Sequence, residues 1–182
     1  FKIEAEDIVS FITSHKVAKE FFKDIGVKTN QVKNCMIVGG GRIAVYLARL
    51  LLEMKIKVVI IEHNLEKCEY LAEQLPEAMI VHGDGTNKKL LLEENIANVE
   101  AFVSLTNVDE ENILLSLYAS TQTNAKMVTK VNRVSFDHII NQLDLGSLIY
   151  PKYITSDYIV QYIRAMQNSI GSNVETLYRL VD

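Results

Sequence analysis

Two cysteines in 182 residues leave little room for a disulfide framework, and Cys35 and Cys68 do not form a C-x-x-C pair. They read as reduced thiols of a cytoplasmic protein. Positive charge is also short. The net charge of −4 argues against nucleic acid as a partner, since phosphate-binding surfaces usually need a basic face. No apolar run reaches the roughly 18–20 residues that cross a bilayer, and charges interrupt the first apolar stretch, so it does not read as a signal peptide. His15, His63, His82 and His138 are scattered without metal-ligand spacing. There is no serine elbow and no Cys–His pairing. No catalytic residue is assigned, and no metal is expected.

What remains is the balance of an ordinary globular protein, 48% apolar and 23% charged. The length suits one domain plus a fragment of another. A core of that size needs no staple. A start at Phe1, inside a strand-like stretch, is expected of a piece of a longer protein.

The apolar pattern is organised in two parts. Asp7–Ile12 has strand composition, and Ser14–Phe22 has helical spacing, with Val17, Ala18, Phe21 and Phe22 on one side. Gly26 and the polar run Lys28–Gln31 then read as a linker. From Asn34 onward, strands alternate with helices. Strands are predicted at Cys35–Val38, Val58–Ile61, Ala78–Val81, Ala101–Leu105, Lys126–Thr129 and Ser147–Tyr150, the last stopped by Pro151. Helices are predicted at Arg42–Met54, Asn64–Leu75 (Asn64 as N-cap), Lys88–Glu94, Asp109–Thr121 and Val134–Leu143. Continuous apolar strands between helices imply a parallel sheet covered on both faces. The fold class is therefore α/β: a doubly wound, Rossmann-like sheet of six strands. A last helix, Thr155 to about Ile170, is apolar around most of its circumference between Tyr158 and Met166, with Gly171 as its C-cap. It is expected to be covered on more than one side, by later sequence or by a second copy in a dimer.

The chemistry concentrates at strand ends. Gly39-Gly40-Gly41-Arg42-Ile43-Ala44 is a G-x-G-x-x-A on a strand-to-helix turn. Gly39 allows the tight turn, Gly41 lets backbone amides approach a pyrophosphate, and Ala44 permits close helix packing. The helix start then favours an anion. Glu62, 21 residues after Gly41, is placed to accept hydrogen bonds from ribose hydroxyls and to repel a 2′-phosphate, which favours NAD or an adenosine nucleotide over NADP. His63 is placed to touch the same ribose. Arg42 either clamps a phosphate, which keeps ATP and ADP open, or pairs with a local carboxylate. Gly83-Asp84-Gly85-Thr86 lies where an adenine is expected, or makes only a tight turn with Thr86 capping the next helix. The backbone of Thr106-Asn107 is expected to line the cleft. Asp109, Glu110 and Glu111 are explained by the helix dipole. Lys130, Asn132 and Arg133 are expected to meet the distal half of the cofactor or a charged partner residue.

Taken in order, Ile37–Ala44, Gly83–Thr86, Leu105–Asn107 with Asp109–Asn112, and Lys130–Arg133 resemble the TrkA family, cytoplasmic regulators of bacterial potassium uptake built from KTN/RCK domains. The resemblance covers roughly residues 32–170. It implies binding of NAD or NADH, with ATP or ADP as the alternative. It also implies a homo-oligomer, either a dimer or a higher ring, and docking onto an integral-membrane potassium-translocating subunit at the inner face of the cell membrane. Residues 1–31 then read as the end of a preceding TrkA-C-like domain plus linker, 32–153 as the nucleotide-binding domain, 154–171 as a crossover helix and 172–182 as the start of a following TrkA-C-like domain, the whole being a second repeat. Alanine at 44, where many members carry glycine, is a mild departure. An NAD-dependent oxidoreductase domain and a degenerate repeat kept only for assembly are the competing readings.

Overall fold

The chain is seen in a computed structural model that describes residues 13–26, 31–133, 137–140, 142–143 and 145–168. The expectations for Asp7–Ile12, most of the linker, Gly171 and the segment 172–182 lie outside the described residues. Phe1–Gln31 and Val32–Asp182 are separate compact units. The first contributes helix α1 (His15–Asp24), whose N-cap Ser14 accepts from the Val17 amide.

The second unit is built on strands β1 (Asn34–Val38), β2 (Lys57–Glu62), β3 (Met79–His82), β4 (Ala101–Ser104), β5 (Lys126–Lys130) and β6 (Ser147–Ile149). All pairings are parallel, in the order β3-β2-β1-β4-β5-β6. The connecting helices are α2 (Arg42–Glu53), α3 (Leu65–Gln74), α4 (Lys88–Glu93), α5 (Asp109–Gln122) and α6 (Asp137–Ile140), with a 3-10 turn at Ile96–Asn98. This is the doubly wound arrangement expected from the sequence, with its switch point between β1 and β4.

Alternation along buried strands feeds two cores. Cys35 and Ile37 of β1 join Val58, Ile60 and Val103 under Ala44, Ala48, Leu71 and Leu75 of α2 and α3. Met36 and Val38 face the other way, with Ile61 and Phe102, against Leu91 of α4 and Leu115 and Ala119 of α5. Both sheet faces are covered, so neither tolerates polar alternation. Ala44 and Ala48 are fully buried. Their small side chains let α2 lie close on the sheet, which brings its N-terminus over the glycine turn.

One polar seam crosses the second core. Ser104, Ser116 and Thr129 are all fully buried. Their hydroxyl oxygens are 3.0 and 2.7 Å apart in series, and Thr129 donates to the Leu145 carbonyl at 2.9 Å. A carbonyl only accepts, so the single Thr129 proton is committed there and Ser116 supplies the proton of the 2.7 Å contact.

In the second unit, two elements differ from the sequence expectation by more than a residue at a boundary. Pro151 does not simply stop a strand: it opens helix α7 (Pro151–Asn168), four residues before the expected Thr155. Proline suits the first helical position, where no amide bond is lost and φ is already helical. The helix expected at Val134–Leu143 is described only over Asp137–Ile140.

Candidate nucleotide site

The turn after β1 takes the geometry that only glycine accepts without strain. Gly39 has φ +102°, and a Cβ there would stand 2.8 Å from the Leu105 carbonyl carbon and the Thr106 nitrogen. The turn thus rests on the backbone just beyond β4. Gly39 donates to the Ile61 carbonyl at 2.9 Å and Leu105 donates to the Val38 carbonyl at 2.7 Å, so the loop continues the sheet on both sides. At Gly40 a Cβ would strike Leu71 of α3. Gly41 differs from both: a Cβ would meet nothing within 4 Å. Gly41 is the N-cap of α2 and has no side-chain oxygen to satisfy the helix's first amides. The first intrahelical bond runs from Val45 to the Gly41 carbonyl, leaving the preceding amides directed past the helix end, where the dipole favours an anion.

Glu62, the last residue of β2, is 4% exposed. Its two oxygens are both held: Oε2 accepts from the Gly40 amide at 2.8 Å and Oε1 from the Asn64 amide at 2.9 Å. His63 Nδ1 lies 3.1 Å from Oε1. The carboxylate therefore fastens the glycine turn to the β2 tip, and its remaining lone pairs are the ones open to a ribose. Glu62→Gln keeps the shape but turns an amide NH2 toward one of these two backbone donors. One buried donor is then unpaired, and the variant is expected to lose about 1–3 kcal/mol of stability in urea denaturation. A loss below about 0.5 kcal/mol would show that the carboxylate does not fasten the turn.

Asp84 forms a local turn, accepting from the Thr86 amide and hydroxyl, both at 2.8 Å. Those two bonds hold its carboxyl below the usual carboxylate range. The cap of α4 is Asn87, which accepts from the Lys89 amide, and not Thr86. His82 Nε2, 3.0 Å from the His63 carbonyl, joins the tips of β2 and β3.

Together these strand ends surround a cavity of about 610 Å³ lined by Gly39, Gly40, Gly41, Glu62, His63, Asp84, Gly85, Thr106 and Asn107, among others. Such a volume suits a nucleotide-sized ligand. Nine of the twelve expected binding residues therefore share one cleft. Arg42 and Ile43 are exposed on the first turn of α2 and do not line it. Among the described residues Arg42 has no carboxylate partner. Lys130 lies elsewhere: it is 5% exposed, and its ammonium donates to the Leu105 carbonyl at 3.2 Å, behind the cleft wall. Burial pushes its pKa down, and the Asp109 charge opposes that shift.

Two cleft residues and one tie outside the cavity lining are not visible in the sequence motifs. Lys67, in the first turn of α3, and Glu111, in that of α5, both line the cavity. Asp109 has more to do than complement a dipole. Its Oδ1 accepts from the Asn132 amide and Nδ2, and its Oδ2 from the Arg133 amide, at 2.8–2.9 Å. Asn132 and Arg133 are thereby tied by their backbone to the start of α5.

Sheet order, switch point and an anion-ready glycine turn beside a buried carboxylate define a Rossmann-type domain with a nucleotide-sized cleft at the switch point. The TrkA-N domain model matches residues 35–151, and the chain belongs to that family. It is 34% identical, over 89% of its length, to the Trk system potassium uptake protein TrkA of Halomonas elongata, and spans 35% of that relative. Among solved structures, the TrkA-N domain of inner membrane protein ybaL from Escherichia coli superposes with a TM-score of 0.64 at 14% identity, over 74% of this chain and 99% of that one. A GsuK channel bound to NAD gives 0.57 at 16%, over 74% of this chain and 25% of the channel chain. These two likenesses concern the fold.

Proposed function

We propose that the chain is a regulatory nucleotide-binding domain of a potassium-uptake system, which binds NAD or NADH at the glycine-turn cleft and acts on a membrane potassium-translocating subunit from the cytoplasmic face. The supporting observation is the cleft itself, where α2 presents free amides, Gly41 leaves open space and the buried Glu62 carboxylate lines the wall. Membership of the TrkA-N family, the Halomonas relative's name and the NAD in the GsuK neighbour point the same way. Among the described residues no helix is long and apolar enough to cross a membrane.

NAD(H) is favoured over ATP or ADP by the charges around the cleft. Glu62, Asp84 and Glu111 line it against a single ammonium, Lys67, which disfavours ATP and ADP, whose free terminal phosphate carries more negative charge than the doubly esterified pyrophosphate of NAD. Self-association is assigned to α7, where every described side chain from Lys152 to Met166 is exposed. Tyr158 and Tyr162 are 71% and 68% exposed, an apolar surface that a second copy would cover.

The ribose contact has its own test. NADH is expected to bind at least about tenfold more tightly than NADPH, because a 2′-phosphate would meet the buried Glu62 charge. Equal affinities in a fluorescence titration would remove Glu62 from the ribose subsite.

A further inference from the structure

Asn112 is fully buried on the inner face of α5, and its side-chain amide makes three hydrogen bonds, with both of its N–H donors engaged. Oδ1 accepts from the Thr106 amide at 2.8 Å, while Nδ2 donates to the Thr106 carbonyl at 3.1 Å and to the Lys130 carbonyl at 3.0 Å. One side chain therefore grips both polar groups of a residue in the cleft wall and, with the same nitrogen, the last residue of β5. Lys130 returns the grip through its ammonium on the Leu105 carbonyl. The next amide along, Val131, donates to the Ile149 carbonyl of β6 at 2.9 Å. Ile149 is two residues from Pro151, where α7 begins, and the Tyr153 and Ile154 amides close the first turn of α7 on the Tyr150 carbonyl.

From this chain of contacts we propose that Asn112 is a positioning residue that couples the nucleotide cleft to the root of α7, making Leu105–Thr106, the end of β5 and the β6–α7 junction one mechanical body. The inference rests on the nucleotide-binding reading above and deepens it: the tie gives the cleft a route to the helix assigned to self-association. It is carried by geometry. A packing role alone would be filled by leucine, and would not require three well-formed hydrogen bonds spread over two strand ends. In an enclosed setting each such bond holds its partner firmly, since releasing it strands a buried polar group.

The test uses the whole chain with NADH as the probe. Sedimentation equilibrium with and without NADH is expected to show a dimerisation constant shifted at least about fivefold in wild type. In Asn112→Asp, which keeps the acceptor for Thr106 but turns an oxygen toward two carbonyls, the shift is expected to fall below about twofold, with NADH still bound. Lys130→Met, which removes only the ammonium tie, is expected to lie between the two. Should either variant fail to fold, hydrogen exchange of wild type decides. NADH is expected to slow exchange at Thr106 and, with it, at Val131, Tyr153 and Ile154. A wild type that binds no NADH overturns the nucleotide reading. A wild type that binds NADH without any shift in dimerisation, folded variants that keep the full shift, or protection confined to Thr106 overturns the coupling.

Discussion

Gly39→Ala is expected to be among the most damaging single substitutions in the second unit. Its φ of +102° lies in a region that costs L-residues about 1–2 kcal/mol. The added methyl would also stand 2.8–2.9 Å from three backbone atoms of Leu105 and Thr106. Side chains rotate away from such contacts, but the backbone between β4 and α5 cannot, because Asn112 pins the Thr106 peptide on both sides. Overpacking against a fixed neighbour adds about 1–3 kcal/mol, so the total loss is expected at about 2–5 kcal/mol. Equilibrium urea denaturation measures it directly. A loss under about 1 kcal/mol would mean that the turn is not seated on the β4 backbone as described.

Two residues further on, Gly41→Asp is expected to have the opposite pattern. Gly41 has ordinary extended geometry, φ −73° and ψ −179°, and open space where a side chain would go. Aspartate is among the best N-caps, and its charge complements the α2 dipole. The fold is therefore expected to be unchanged or slightly more stable. Nucleotide binding is expected to weaken by about a hundredfold or more, since the new carboxylate caps the amides offered to phosphate and repels it as well. Retention of wild-type affinity would place the phosphates somewhere other than the start of α2. The pair Gly39 and Gly41 thus separates folding from binding within one short motif.

The motif is where the sequence was most legible. Strand, glycine turn, helix and strand-end glutamate follow at the spacing a tight β-α-β unit imposes, and the apolar strands mark the parallel sheet. What stayed hidden are the groups brought together by chain reversal. In the sequence Asp109 reads as a helix-start charge, yet it binds the backbone 23 residues on. The inner face of α5 carries Asn112 and Ser116, buried polar residues that dilute apolar periodicity, so no pattern announces that they are the tie and the seam. Lys130 was legible as a cation near the cleft. Its direction was not, because alternation along a strand fixes the face of the sheet but not which carbonyl a long side chain reaches. Pro151 shows a simpler ambiguity: the residue that ends a strand is equally suited to begin a helix.

The most direct measurement is a calorimetric titration of the purified chain with NADH, NAD, ATP and ADP in parallel. NADH or NAD is expected to bind saturably with a Kd on the order of micromolar, at one site per chain, and binding is expected to be lost in Gly41→Asp while the variant's denaturation midpoint is kept. No heat from any of the four ligands up to about 1 mM, from a chain shown to be folded, would contradict the nucleotide-binding reading.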